Sequence, residues 1–432
     1  MTRVADVVIV GGGIAGSAAG ISLARAGLDV SVLEFQEEYR DLVRGEMLAP
    51  WGSAEAERIG ALDAILAAAP APLHEWRLWD EIHAPDDAPA FDLTRRFAPG
   101  GHPPFAIRHD QACQRLAQHA IAAGASLTMG VRDIKVEGGH APSVTYSVGG
   151  RRISQSCRLV IGAGGRHGPV GKQVGLPLAR TFHHWGAGLA IADLEGWPAG
   201  VQAIGTEGDT NFFVFPQQHR RARLYLNYPT AKRRAFAGPG GTDRFLKAFD
   251  LDCLPSSLRH ALLAATPAGP CVSAPALSSW TEQPFTSGVV LIGDEAGANC
   301  PVLGTGLSNG LRDARIVSEA LAESRDWSPE SFVPYALERR RRLGRLNFVV
   351  DALNMLFAEF GPANVERRKR AWERIHANPS FQMLFTAGIA GPERVPDAMF
   401  EQAFIRRLFA GSSTRRTLPA LLETGEGSRV AS

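Results

Sequence analysis

The stretch that decides the fold is Val7-Val8-Ile9-Val10-Gly11-Gly12-Gly13-Ile14-Ala15-Gly16, with Glu34 closing a second apolar run, Leu28-Asp29-Val30-Ser31-Val32-Leu33. The β-branched residues 7–10 predict a short strand buried on both faces. From Ile14 to Ala26 apolar side chains recur at helical spacing, and Gly27 stands where a helix ends. The second run alternates as a strand, so the segment is one βαβ unit. Gly11 permits the tight turn, Gly13 lets the backbone approach a pyrophosphate, and Gly16 lets the helix pack closely on the sheet. The first helical amides, with those of Ile14 and Ala15 among them, then face phosphate with partial positive charge. Glu34 stands where a carboxylate accepts hydrogen bonds from an adenosine ribose. That favours an unphosphorylated ribose, hence FAD or NAD rather than NADP. The fingerprint alone does not choose between them.

The rest of the composition bounds the reading. A chain of 432 residues, 45% hydrophobic, is long enough for two or three domains with large cores. Its 46 basic and 44 acidic residues leave a net charge of +2, which argues against a general nucleic-acid binder. Cys113, Cys157, Cys253, Cys271 and Cys300 are scattered, odd in number and without a CxxC pair. They predict neither a metal site nor a disulfide framework, and they fit a reducing, cytoplasmic compartment. Residues 7–24 are uncharged and long enough to suggest a membrane span, but the glycines clustered inside the run fit a strand, a loop and a helix instead. No span and no signal peptide are expected.

Along the chain, helices are expected over 53–69 and 108–123, with strands near 126–129, 143–147 and 159–161. After about residue 180 the texture changes to short strands at 188–194, 211–215 and 223–228, which predicts an antiparallel sheet. A helical stretch over 242–265 follows, then a buried strand at 288–292, a glycine-rich loop at 293–306 and a long helix from Leu307 to Ser324. The chain then reads as helical to about residue 410. The run Arg339–Arg342 reads as a solvated helix face, and the polar tail after Ser412 as disordered.

The second chemical motif lies in that late loop: Gly293-Asp294-Glu295-Ala296-Gly297, Pro301, Gly304-Thr305-Gly306-Leu307 and Asp313-Ala314. With the opening fingerprint it resembles the family of FAD-dependent aromatic hydroxylases related to p-hydroxybenzoate hydroxylase. The resemblance runs in order through most of the first 345 residues, and it chooses FAD over NAD. It implies that Asp294 binds the FAD ribityl chain and that Leu307 and Ser308 meet the flavin pyrimidine edge, where a helix N-terminus stabilises negative charge. It places Arg44 and Gly45 beside the flavin, Arg108 and Gln114 near the diphosphate and ribose, and Val131 near the adenine. Pro301, Gly304 and Gly306 complete the ring-side loop. His109 stands where the family arginine is expected. Three positions depart from the pattern. Gly164 replaces the acid of the usual Gly-Ala-Asp-Gly-Arg, Gly297 replaces a common histidine, and Ser308 replaces an asparagine.

The resemblance implies an α/β fold: an FAD-binding Rossmann-like (GR2-type) domain, a mixed β-sheet substrate domain and a helical C-terminal region. The expected boundaries are 1–75 with 100–180 and 280–345 for FAD, 76–99 with 181–279 for substrate, 346–411 for the helical region and 412–432 for the tail. The implied reaction is monooxygenation. NADH or NADPH reduces FAD, O2 adds to give a C4a-hydroperoxyflavin, and one oxygen passes to an aromatic or other hydrophobic small molecule by hydroxylation or epoxidation. No second nicotinamide-binding βαβ unit is evident, which fits transient NAD(P)H binding or supply by a partner flavin reductase. Phe213 and Phe215 on one strand face, with Pro301 and Val302, are candidates for the substrate pocket, Phe212 and Val214 lying on the other face. No motif assigns a catalytic base. His183, His184 and Tyr225 are the candidates. A monomer or homodimer is expected. The alternatives are a reductase, dehydrogenase or halogenase on the same scaffold, or a flavin-containing interaction protein without turnover. A halogenase should carry a catalytic lysine and a Trp-x-Trp-x-Ile-Pro stretch, and the latter is absent.

Overall fold

The computed structural model describes residues 4–41, 45–94 and 101–410. Arg44, the sequence after Ala410 and part of the expected 76–99 segment lie outside them. The first sheet is built on five parallel strands in the order Val289–Leu291, Arg151–Gly162, Ala5–Val10, Val30–Leu33 and Ser126–Thr128. Ala5–Val10 lies in the middle, with Ile9 paired to Val32 on one side and Ile161 on the other. Its side chains alternate between two cores, which is why the run is apolar throughout. Val7 and Ile9 pack with the helices Ile14–Arg25, His109–Ala122 and Gly306–Glu323. Val8 and Val10 pack beneath an antiparallel meander of Arg132–Glu137, Ser143–Val148 and Arg151–Gly162.

The second sheet runs Thr266–Pro267, Ala179–Ala192, Arg221–Tyr228, Thr210–Gln217, Val201–Glu207, Glu75–Leu78 and Ala90–Asp92, with Val272–Trp280 also paired to Ala179–Ala192. It is antiparallel except where Val201–Glu207 runs parallel to Glu75–Leu78, so the sheet is mixed. Phe212 and Val214 pack on one face against Phe245 and Phe249. Phe213 and Phe215 lie on the other, in a core shared with the C-terminal helices. Those helices are Val333–Leu353, Pro362–Ala377, Met383–Ile389 and Gln402–Leu408, with a π-helical turn at Asn354–Ala358. The fold is thus α/β with a mixed second sheet and a helical C-terminal region.

Several expectations are corrected. The helix over 53–69 is two, Pro50–Arg58 and Leu62–Leu66, because Gly60 turns the chain at φ +70° where a Cβ would lie 1.6 Å from Arg25 Nη1. The stretch 242–265 is also two helices, Gly241–Lys247 and Ser256–Ala264, the second starting after Pro255. The arginine run is not a uniformly solvated face. Arg340 and Arg341 are exposed, but Arg339 and Arg342 are among the most buried polar side chains of the molecule.

Candidate cofactor and substrate site

The two glycine-rich motifs meet. Ala15 of the first helix packs between Gly293 and Gly310, whose added Cβ atoms would lie 3.2 and 3.3 Å from its own. Gly11 has φ +111°, and a Cβ there would stand 2.4 Å from Ala163 O. At Gly16 a Cβ would fall 1.9 Å from Gly11 O, so this glycine serves the loop's own closure as well as sheet packing. Gly13 and Gly306 differ in kind: nothing lies within 4 Å of a Cβ at either. Each opens a helix without a side-chain cap. Their first amides have no intrahelical acceptor. Two uncapped N-termini facing open space on adjoining helices fit a ligand with phosphate at one end and an electron-rich edge at the other. The chain's residues therefore fit FAD.

Glu34 is buried and accepts from Gly12 N at 2.7 Å and Gln36 N at 2.9 Å, so it braces the loop while its remaining lone pairs can take hydroxyls. Val131 N donates to Glu34 O. Tyr39, not singled out from sequence, donates its hydroxyl to Gly12 O at 2.7 Å, and burial raises its pKa. Gly45 lies against Leu307, with a Cβ 3.1 Å from that side chain. Pro301 and Gly306 are exposed while Val302, Leu303, Leu307 and Ser308 are buried, so the ring-side loop presents an open rim. Gly304 turns at φ +71° over Met47, and Asp294 is half-buried in the turn Gly293–Glu295. Arg108 flanks its helix, pairs with Asp110 at 2.8 Å and lines a 110 Å³ cavity with Gln217 and Arg221. Gln114 is exposed. His109, in the register position of the family arginine, instead approaches Cys113 Sγ at 3.5 Å.

Gly164, where the family acid is missing, faces Glu295. The buried Glu295 carboxylate accepts from Gly164 N at 2.6 Å, Val170 N at 2.7 Å and Gly171 N at 3.3 Å. Burial raises its pKa, and those amides oppose the shift. A Cβ at Gly168 would lie 2.2 Å from Glu295 Cδ, so the acid occupies space that glycines leave free. An acid missing from one loop is present on the loop facing it.

Arg339 and Arg342 clamp this region from the C-terminal side. Arg339 donates to the carbonyls of Gly293, Ala296 and Gly297 and pairs with Asp313 at 3.0 Å. Arg342 pairs with Asp313 at 2.6 Å and donates to Asn309 Oδ1 at 2.6 Å. Asp313 in turn accepts from Gly293 N at 2.8 Å. Burial works against its carboxylate, yet the two guanidiniums hold its pKa below the ordinary range.

Phe213 and Phe215, stacked at 6.1 Å, share a buried apolar cluster with Met47, Val302 and Leu303. Beside them Tyr225 and Arg223 both donate to Glu46 at 3.1 Å, as does Gln217. Burial pushes Glu46 up to about 8 against the attraction of Arg223. Burial and Glu46 likewise hold Tyr225 far above its ordinary pKa, so the hydroxyl stays protonated and does not serve as a base at neutral pH. His184 is buried, and that burial lowers its pKa to about 4, leaving it neutral. His183 is bonded to Ser278 Oγ at 3.2 Å and Asn354 Nδ2 at 3.1 Å. Among the described residues no His/Cys/Asp/Glu group could hold a metal, no disulfide forms, and no helix is long and apolar enough to cross a membrane.

Comparison with known proteins agrees with this geometry. The chain is 28% identical over 346 residues to menaquinone reductase of Mycolicibacterium smegmatis, covering 74% of this chain and 77% of that one. Its fold matches p-nitrophenol 4-monooxygenase from Pseudomonas putida with a TM-score of 0.75 at 16% identity, over 90% of this chain and 99% of that one. It also matches the flavin-dependent halogenase CmlS with a TM-score of 0.71 at 19% identity, over 94% and 77%. The sequence model described as FAD binding domain matches residues 4–347, and the chain belongs to that family of flavin-dependent oxidoreductases, which includes the aromatic hydroxylases.

Proposed function

We propose that the chain is an FAD-dependent monooxygenase that uses NADH or NADPH and O2 to hydroxylate or epoxidise an aromatic or other hydrophobic small molecule. The observation that carries this reading is the apolar wall of Phe213, Phe215, Met47, Val302 and Leu303 beside the uncapped helix at Gly306. FAD bound there would supply the redox chemistry, namely hydride acceptance and O2 activation. The chain's part is to hold and shield it. Amides of Ile14 and Ala15 would meet the diphosphate, Glu34 the ribose, Asp294 the ribityl chain, and the amides of Leu307 and Ser308 the pyrimidine edge. The apolar wall and the C-terminal helices would exclude water. In this reading the first sheet with its helices is the FAD part and the second sheet the substrate part.

The test is O2 uptake with NADH and NADPH, with and without a panel of phenols, followed by mass spectrometry for a gain of one oxygen. Substrate-stimulated FAD reduction and an oxygenated product are expected. If neither nucleotide reduces the flavin, but chemically reduced FAD still yields product, a partner reductase supplies the electrons. If no oxygenated product forms by either route, the reading fails. A second reading, reduction of an isoprenoid double bond, is favoured by the similarity to menaquinone reductase. It predicts product under argon. Halogenation is disfavoured because all five lysines, Lys135, Lys172, Lys232, Lys247 and Lys369, are exposed.

A further inference from the structure

The paired strands Thr210–Gln217 and Arg221–Tyr228 put two rows of side chains on one sheet face, with Phe213 opposite Tyr225, Phe215 opposite Arg223 and Gln217 opposite Arg221. The face is aromatic at Phe213 and Phe215 and turns polar and cationic towards the connecting turn. At that end it lines a 110 Å³ cavity with the start of the helix His109–Ala122. Ala69, Arg108, Gln111, Gln217, His219 and Arg221 are on its walls. None of its lining residues is an acid, and none belongs to either glycine-rich motif. Gln217 ties the cavity to the ring-side loop. Its amide donates to Glu46 Oε2 at 3.1 Å, and Glu46 lies between Gly45, against Leu307, and Met47, under Gly304.

The walls are short of acceptors. Arg108 Nε and Arg221 Nε are buried and have no hydrogen-bond partner. Arg108 pairs once, with Asp110 at 2.8 Å, and Arg221 stands 3.6 Å from Asp41, beyond hydrogen-bonding distance. Asp41 is already paired with Arg223. Asp110 Oδ1 is also without a partner, but Asp110 does not line the cavity. The helix beginning at His109 has no side-chain cap, so its first amides add donors at the same end. The backbone is held against its preference here too. Among the described residues five non-glycine residues have left-handed backbone, and two of them, Ala69 at φ 50° and His219 at φ 60°, line this one cavity, with Arg220 next in the turn at φ 53°. Such turn positions ordinarily select Gly or Asn. Strain of this kind concentrates where a ligand is clamped, and buried donors without acceptors call for a group that supplies them.

Size and charge narrow the occupant. The cavity has room for several waters or one tetrahedral oxyanion, and is well below the roughly 300 Å³ of a pocket for a whole small molecule. It therefore takes the end of a ligand. Two guanidiniums suit a doubly charged phosphate, whose oxygens match the arginine fork, better than a singly charged carboxylate. We propose that this cavity is a subsite for a terminal phosphate, a phosphate monoester carried by NADPH on its ribose or by a phosphorylated substrate. The diphosphate bridge of NADH has no terminal phosphate to insert. The proposal rests on the monooxygenase reading in naming the reductant and substrate of that reaction as the carriers.

The experiment titrates inorganic phosphate into the FAD-loaded full chain by calorimetry at constant ionic strength, so that the site of the FAD diphosphate is already filled. Phosphate should bind the wild type and Arg220→Gln alike, and bind Arg221→Gln and Arg108→Gln at least about tenfold more weakly. Arg220 is on the same turn, is exposed, pairs with Glu195 and does not line the cavity, so its loss removes the same charge from outside the subsite. Displacement of the phosphate identifies the carrier, with oxidised nucleotides so that no electrons move. Displacement by NADP+ but not by NAD+ assigns the group to the nucleotide, and displacement by phenyl phosphate alone assigns it to a substrate. Either upholds the subsite. It is overturned if phosphate does not bind the wild type, if Arg220→Gln loses as much binding as Arg221→Gln, or if neither NADP+ nor phenyl phosphate displaces the ion. None of these measurements needs turnover. Oxygenated product from chemically reduced FAD without phosphate binding would sink the subsite alone, and phosphate binding without any oxygenated product would sink the monooxygenase reading alone. The wild-type titrations decide the matter even where a variant is not recovered folded.

Discussion

At the residue scale the glycines of the opening loop divide into two kinds, and the division is testable. Gly16 is required by the protein itself, because a Cβ would stand 1.9 Å from Gly11 O. Gly13 has φ −72° and open space around it, so only a bound ligand needs it bare. Gly13→Ala should therefore leave the FAD-free chain within about 0.5 kcal/mol of wild type while weakening FAD binding by about tenfold or more, about 1.4 kcal/mol. Gly16→Ala should cost about 1–3 kcal/mol even without FAD. Chemical denaturation of the FAD-free proteins with flavin-fluorescence titration separates the two. Equal loss of stability in both would refute the distinction. His184 offers a second test. Its folded pKa of about 4 lies below its ordinary 6.5. Above pH 6.5 it is neutral in both states and its contribution is fully present. As pH falls from 6.5 towards 4 the unfolded chain takes up a proton that the folded chain refuses. Stability should drop by up to about 3 kcal/mol over that window, and His184→Asn should flatten this part of the profile. Urea midpoints measured between pH 7 and 4.5 check it, and parallel profiles for the two proteins would count against it.

At the scale of elements, the helix Val333–Leu353 shows where the sequence was readable and where it was not. A helix was expected there, but a run of four arginines carries no phase, so its buried side was hidden. The buried positions Tyr335, Arg339 and Arg342 follow spacings of four and three. That is one helical face, and the apolar Tyr335 was the available signal. The opening βαβ unit was readable because its constraints are local: a turn, a close approach and an acid at the end of the next strand. The loop at 293–297 was readable as a motif, but the role of Glu295 depends on a loop more than a hundred residues away. Asn354 gave no signal at all, since a π turn has no spacing rule in sequence. The clamp these elements build has a direct consequence. Asp313 lies between two buried guanidiniums, so Asp313→Ala strands both, and the cost should be about 3–5 kcal/mol. Arg339 also holds the carbonyls of the Asp294 turn, so Arg339→Leu should weaken FAD retention as well as stability. Gel filtration followed by the flavin-to-protein absorbance ratio reads the retention. A variant with full flavin content and unchanged melting temperature would show that the clamp is not needed.

At the scale of the whole molecule the question is whether the C-terminal helices are an appendage or a wall of the site. The family match ends at residue 347, which invites the first view. The packing argues for the second. Phe348, Leu356, Phe357, Trp372 and Phe385 share one apolar cluster with Met47, Phe213, Phe215, Val302 and Leu303. Trp51 donates to Gly388 O at 2.9 Å, and Arg312 bridges Glu55 of one region to Glu393 of the other. Without residues 346–410 the pocket face of the second sheet and the ring-side loop would both meet water. An exposed apolar surface of that kind drives association. A fragment ending at Arg345 should therefore be recovered aggregated, or soluble with strong binding of a hydrophobic dye and no bound FAD. Supplying the helical segment as a separate chain should restore solubility in part, because the contacts are noncovalent. A fragment that is monomeric, cooperative in thermal melting and loaded with FAD would show instead that the flavin site stands without its C-terminal wall. The substrate pocket would then have to be sought on the first two sheets alone.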